Sequence, residues 1–91
     1  MSYDNGVVYS NTAVTSTSGS SGVVSLNTHT SCIHFYNTHA TTNATVKLNG
    51  GPHKVVIPAI NSGGGYVEIE GDYTSFQIET SGVTLAVYAV A

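Results

Sequence analysis

Three short runs in this chain alternate apolar and polar residues with a period of two, and that rhythm belongs to half-buried β-strands. In residues 43–49 (NATVKLN), Ala44, Val46 and Leu48 share one face while Thr45 and Lys47 share the other. In residues 66–70 (YVEIE), Val67 and Ile69 point one way and Glu68 and Glu70 the other. Residues 74–80 (TSFQIET) repeat the pattern with Phe76 and Ile78. Nowhere does the 3.6-residue rhythm of a helix appear, and β-branched residues are spread throughout. Turn signals punctuate the runs: Asn49-Gly50-Gly51-Pro52, Asn61-Ser62-Gly63-Gly64-Gly65, Gly71-Asp72 and Ser81-Gly82. Strands recurring at about 8–12 residues with polar turns predict an all-β fold, an antiparallel β-sandwich or jelly-roll-like barrel of about 7–8 short strands. Val7-Val8-Tyr9 and Val23-Val24-Ser25-Leu26 are further strand candidates. Between them lies a Ser/Gly-rich stretch, 16–22, so residues 1–22 read as an N-terminal arm, either flexible or docked on a neighbour.

With 91 residues the chain makes one domain, 1–91, with a modest core and little room for a deep ligand cavity. Only 8% of residues are charged, there is no arginine, and the lysines are Lys47 and Lys54. So few cations cannot displace the counterions of a phosphate backbone or hold an anionic membrane, which argues against nucleic-acid and membrane partners. A surface built of Thr, Ser and Asn is either merely polar or lies against other protein, where unpaired charge is costly. The single cysteine, Cys32, cannot form an intramolecular disulfide. No cationic segment leads into an apolar one at the N-terminus, so the expectation is synthesis without export.

Reactive side chains concentrate in residues 29–39 (HTSCIHFYNTH). A zinc site would recruit His29, Cys32, His34 and His39, but four ligands must converge at about 2.0–2.3 Å from the metal. On a strand, Cys32 and His34 share a face with Tyr36, and His29 and His39 have the opposite parity. One strand cannot gather all four. Three copies of His34 about a threefold axis would make a site; otherwise these are surface or interface histidines, and no metal or cofactor is expected. Strand neighbours i and i+2 lie roughly 6.5–7 Å apart, which argues against a Cys32–His34 nucleophile pair. Glu68 and Glu70 stand one two-residue step apart, as glycosidase carboxylates can, yet the chain has no tryptophan for a sugar platform. The glycines 63–65 precede a strand where a phosphate loop needs a helix. No catalytic residues are assigned, and the chain reads as a non-enzyme.

The last nine residues, VTLAVYAVA, break the one-sided pattern. Val83, Leu85, Val87 and Ala89 take one face; Ala86, Tyr88 and Val90 take the other, and both are apolar. Such a strand is expected to be buried on both sides, with the second covered by a neighbouring subunit, a larger assembly or the N-terminal arm. The candidate interface residues are therefore Val83, Leu85, Val87, Tyr88 and Val90, together with His34 and Tyr36.

Residues 57–91 combine Ile57-Pro58-Ala59, a Gly-rich turn, Gly71-Asp72-Tyr73-Thr74-Ser75-Phe76-Gln77-Ile78, and Thr80-Ser81-Gly82-Val83 running on to Tyr88. In this style the stretch resembles small virion proteins of tailed bacteriophages. The resemblance implies a capsid decoration (cement) protein, or another head, neck or tail accessory, made in the host cytoplasm and located in the virion. It further implies a compact β-domain that self-associates, with a trimer favoured, and binds the major capsid protein or other virion proteins. The stretches 29–39 and 16–22 have no counterpart in that pattern. The alternative is a carbohydrate- or receptor-binding β-module of a phage tail or fibre, using Tyr66, Tyr73 and the asparagine-rich loops.

Overall fold

The computed structural model describes residues 7–16, 23–26, 29–49 and 51–91. Among them, eight strands and one helical turn follow in order: β1 (Val7–Ser16), β2 (Val24–Ser25), β3 (Cys32–Asn37), β4 (Ala44–Leu48), β5 (Lys54–Ile57), α1 (Ile60–Gly63), β6 (Tyr66–Glu70), β7 (Ser75–Ile78) and β8 (Val83–Val90). One sheet has the order β1-β8-β3-β6 and the other β2-β7-β4-β5, with every pairing antiparallel. The chain crosses between the sheets at nearly every connection, and the two orders together describe an eight-stranded jelly-roll sandwich. The fold class is the one the alternation predicts.

Inward parity decides the core. Ala44, Val46 and Leu48 of β4, Phe76 and Ile78 of β7, Ile33 and Phe35 of β3, and Val83, Leu85, Val87 and Ala89 of β8 are buried together. Phe35 and Phe76 come from opposite sheets and meet edge-on, with ring centroids 5.7 Å apart. Tyr9 approaches Phe76 at 5.8 Å in the same manner. Edge-to-face geometry sets the positive ring edge against the negative face, worth about 0.5–1.5 kcal/mol beyond burial.

A buried polar side chain joins the sheets at one end. Asn37 closes β3 with inward parity and is 1% exposed. Its Nδ2 donates to the carbonyls of Thr42 (2.8 Å) and Ile57 (3.1 Å), and its Oδ1 accepts from the His39 N–H at 2.9 Å. The Asn37 N–H donates to the Gly65 carbonyl at 2.7 Å. At the other end of β3 the buried Thr30 hydroxyl donates to the Gly71 carbonyl and accepts from the Tyr73 N–H. Among the described residues no buried side-chain nitrogen or oxygen lacks a partner.

Two expectations change, and a third is narrowed. Residues 7–16 of the expected arm are a full strand on the edge of the first sheet, in register with β8 from Val7↔Val90 to Ser16↔Val83. They flank β8 sideways and do not cover its face; the rest of the arm, including 17–22, lies outside the described residues. The glycine-rich turn contains a helical turn, Ile60–Gly63, ended by Gly64 at φ 83°. Gly65 follows at φ 74°, where a Cβ would come within 2.8 Å of the Asn37 carbonyl oxygen, so the turn requires glycine there. Finally, only one face of β8 is buried by this chain: Val83, Leu85, Val87 and Ala89 are enclosed, while Thr84, Ala86 and Val90 are half-buried and Tyr88 is 44% exposed.

This packing sets two expectations for stability. Deleting residues 87–91 removes Val87 and Ala89 from the core and strips β1 and β3 of their pairing to that part of β8. The truncated chain should show no cooperative thermal unfolding by circular dichroism. Asn37→Ala leaves one buried carbonyl, one part-buried carbonyl and one part-buried N–H without their partner and should cost about 2–3 kcal/mol in chemical denaturation. A loss below half that would mean water replaces the amide.

Candidate functional site

The outer face of the first sheet carries the chemistry. β3 presents Cys32, His34 and Tyr36 outward, because Ile33, Phe35 and Asn37 point in. Register sets three rows across the sheet: Glu70, Cys32, Val90; then Glu68, His34, Tyr88; then Tyr66, Tyr36, Ala86. The side chains connect along the diagonals of these rows. Cys32 Sγ donates to Glu68 Oε2 at 3.3 Å, and His34 Nδ1 lies 2.6 Å from the Tyr66 hydroxyl. That hydroxyl donates to Glu68 Oε1 at 3.2 Å, so its oxygen accepts from Nδ1–H. His34 is thereby held in the tautomer that leaves a lone pair on Nε2, and Nε2 sits 3.6 Å from Cys32 Sγ.

This geometry corrects one distance argument. Backbone spacing along β3 keeps Cys32 and His34 apart, but their side chains lean together above the pleat. The environment nevertheless opposes an activated thiol. Desolvation first, then the hydrogen bond to Glu68 and the negative charges of Glu68 and Glu70, push the Cys32 thiol up to about 11. Tyr66 moves up for the same kinds of reason, desolvation first and Glu68 second. Glu68 moves down, because Cys32 and Tyr66 both donate to it, with desolvation pulling the other way.

Beside this cluster a groove of about 380 Å³ opens between β1 and the aromatic row. Ser10, Asn11 and Thr12 form one wall; Tyr36, Tyr66 and Tyr88 supply the rings. A register shift between Asn11 and Val14 marks a β-bulge, tied by the Asn11 side-chain oxygen accepting from the Ala13 N–H at 2.9 Å. Tyr36 and Tyr66 stack obliquely at 4.6 Å, and His34 lies 5.8 Å from Tyr88. Tyr36 is 52% exposed and Tyr66 38%.

The residues singled out in the sequence divide cleanly. His34, Tyr36, Tyr88 and Val90 share this outer face, whereas Val83, Leu85 and Val87 are core and offer no surface to a partner. Inward parity on β8 is the physical reason. His29 pairs with Asp72 at 2.6 Å beyond one end of β3, and His39 Nδ1 accepts the Thr41 and Thr42 N–H groups beyond the other, so neither joins Cys32 and His34. Tyr66 opens β6 and Tyr73 lies past its far end, so the two form no common surface. Glu68 is exposed on this face, and its role as acceptor for Cys32 and Tyr66 is what the sequence alone did not indicate. Its bond to Cys32 depends on the β3–β6 register, which no local pattern encodes.

The shielded thiol is testable directly. In chelator-treated protein near neutral pH, the raised thiol holds far less thiolate than an ordinary cysteine, and its greater intrinsic nucleophilicity restores only part of that loss. Exchange of Cys32 with an aromatic disulfide should therefore run about tenfold slower than an unperturbed thiol. Glu68→Gln removes the negative charge that disfavours thiolate and should accelerate it.

No protein family, curated protein or solved structure matches this chain, so the functional reading rests on its residues and their geometry.

Proposed function

We propose that this protein is a non-enzymatic structural component of a phage virion, a decoration-type module that self-associates and docks on the shell through the outer face of its first sheet. The observation that carries the reading is the composition of that face. Tyr36, Tyr66 and Tyr88 stand exposed at one end of it with Ala86 beside them, its charge is confined to Glu68 and Glu70 on the β6 edge, and neither lysine is there. Interface centres are enriched in tyrosine and depleted in charge, and a few aromatic anchors carry most of their energy. Both lysines instead meet Glu79 on the other sheet, Lys54 at 2.9 Å and Lys47 at 3.8 Å. The second apolar side of β8, left half-covered by its own chain, belongs to the same face. The low overall charge and the resemblance of residues 57–91 to small phage virion proteins support the virion setting; a trimer is the favoured assembly.

The groove favours one alternative. Its concave wall of Ser10, Asn11 and Thr12 opposite tyrosine rings is also the chemistry of a carbohydrate subsite, in which rings stack on sugar faces and amide and hydroxyl groups bind their hydroxyls.

Light scattering and co-sedimentation with purified phage capsids separate these readings. The wild-type protein should form a defined small oligomer and pellet with capsids. The double variant Tyr36→Ser/Tyr88→Ser should keep its β-sheet circular dichroism but lose capsid binding by at least about 30-fold, a two-anchor loss. A monomer that ignores capsids and binds a glycan array would replace the assembly reading with the carbohydrate one.

A further inference from the structure

Cys32, His34 and Glu68 bring a sulfur, an imidazole nitrogen and a carboxylate oxygen within 4.8 Å of one another. We propose that these three side chains form a binding site for a zinc-class divalent cation, with its fourth position open to solvent on the outer face of the first sheet.

Spacing is the first argument. Tetrahedral zinc, with bonds of about 2.3 Å to sulfur and 2.0–2.1 Å to nitrogen or oxygen, sets sulfur about 3.5 Å from each lighter ligand atom. Cys32 Sγ lies 3.6 Å from His34 Nε2 and 3.3 Å from Glu68 Oε2. Both sulfur edges therefore already match, and the nitrogen–oxygen edge, within 4.8 Å, is left for side-chain rotation to close, with the backbone held by the β3–β6 ladder. The thiol proton now shared with Glu68 leaves to solvent when the cation binds.

Orientation is the second. A metal-binding imidazole generally gives its other N–H to an oxygen acceptor, which fixes the tautomer and turns the ligating nitrogen toward the ion. Tyr66 is that acceptor. Its hydroxyl takes His34 Nδ1–H and donates to Glu68 Oε1, so one phenol orients two of the three ligands. Nε2, the nitrogen beside Cys32 Sγ, is then the one free to coordinate.

Donor type is the third. Thiolate, imidazole and carboxylate together suit zinc, whereas calcium and magnesium take oxygen ligands alone. Three protein ligands with an open side is the arrangement that leaves room for water or a donor from another molecule. Cys32 and His34 are half-buried and Glu68 is exposed, so the ion would reach the site directly from solvent. The inference stands apart from the virion reading, since it needs neither capsid nor oligomer.

The test uses the full chain without an affinity tag, reduced and chelator-treated, titrated with Co²⁺ and followed by absorption. One Co²⁺ per chain should bind, giving visible bands of tetrahedral intensity and a thiolate-to-cobalt charge-transfer band in the near ultraviolet, both lost on adding Zn²⁺. Cys32→Ser should abolish the charge-transfer band, and His34→Gln and Glu68→Gln should weaken binding sharply. Tyr66→Phe, which keeps every ligand, should weaken it about 10–100-fold. Glu79→Gln, on the other sheet beside Lys54 and away from the cluster, should leave it unchanged. Circular dichroism confirms that each variant is folded. No charge-transfer band at saturating Co²⁺, or binding unaltered by Cys32→Ser, overturns the proposal, the latter because the ion would sit at other histidines. Loss of capsid binding leaves this readout untouched, and loss of the band leaves the docking face intact.

Discussion

Asn37 is the point at which the two sheets are fastened. A sandwich is held by a nonspecific apolar layer, which tolerates sliding; directional bonds are what select one register. The Asn37 amide reaches from the end of β3 in the first sheet to Ile57 at the end of β5 in the second, and to Thr42 in the connection between β3 and β4. Its backbone N–H meanwhile donates to the carbonyl of Gly65, immediately before β6. One residue thereby sets the end of β3 against the β3–β4 connection, the end of β5 and the start of β6. Because a strand alternates, burying Asn37 and Phe35 obliges Tyr36, His34 and Cys32 to face out. The candidate site is a consequence of the same parity that builds the core.

What the sequence reveals follows from which interactions are local. Alternation is local, so the inward residues of β4, β6 and β7 are readable, and so is the outward placement of Cys32, His34 and Tyr36. Pairing is not local. Cys32 and Glu68 are 36 positions apart, and they meet only because Cys32 lies opposite Glu70 and the side chains connect diagonally to the neighbour two residues along. A one-residue slip of β6 would turn Val67 and Ile69 outward and Glu68 inward. Read alone, Glu68 is a solvated carboxylate; read with the register, it is the acceptor for a thiol and a phenol.

The C-terminal strand shows a different limit. Apolar residues at both parities announce that two sides must be accommodated, but not by what. β8 sits between β1 and β3, and its inner side completes the core. On the outer side small Ala86 leaves space beside Tyr36, Tyr66 and Tyr88, and that space is the groove. The apolar excess of β8 therefore contributes an interior on one side and the floor of an exposed aromatic groove on the other. The one-turn helix escaped notice for a simpler reason: four residues carry too little periodicity to register, and their glycines signal a turn either way.

The distribution of charge makes the two sheets unlike. On the outer side of the second sheet, Lys54 and Lys47 converge on Glu79, whose carboxyl is held below its usual range chiefly by the hydrogen bond from Lys54. Its contribution to stability is thus present above the ordinary glutamate pKa and fades as pH falls through the lowered folded value; with all three side chains partly exposed, solvent keeps it small. On the first sheet Glu68 and Glu70 have no lysine, and Glu68 is satisfied by neutral donors, Cys32 and Tyr66. A carboxylate held by a thiol proton and a phenol is poised differently from one held by an ammonium: a divalent cation can displace the thiol proton, whereas it would have to compete with a fixed positive charge. Such a cation would also cancel negative charge on the face where Tyr36, Tyr66 and Tyr88 stand exposed. Metal binding and docking then place compatible demands on one surface, since each removes charge or apolar area from water without opposing the other.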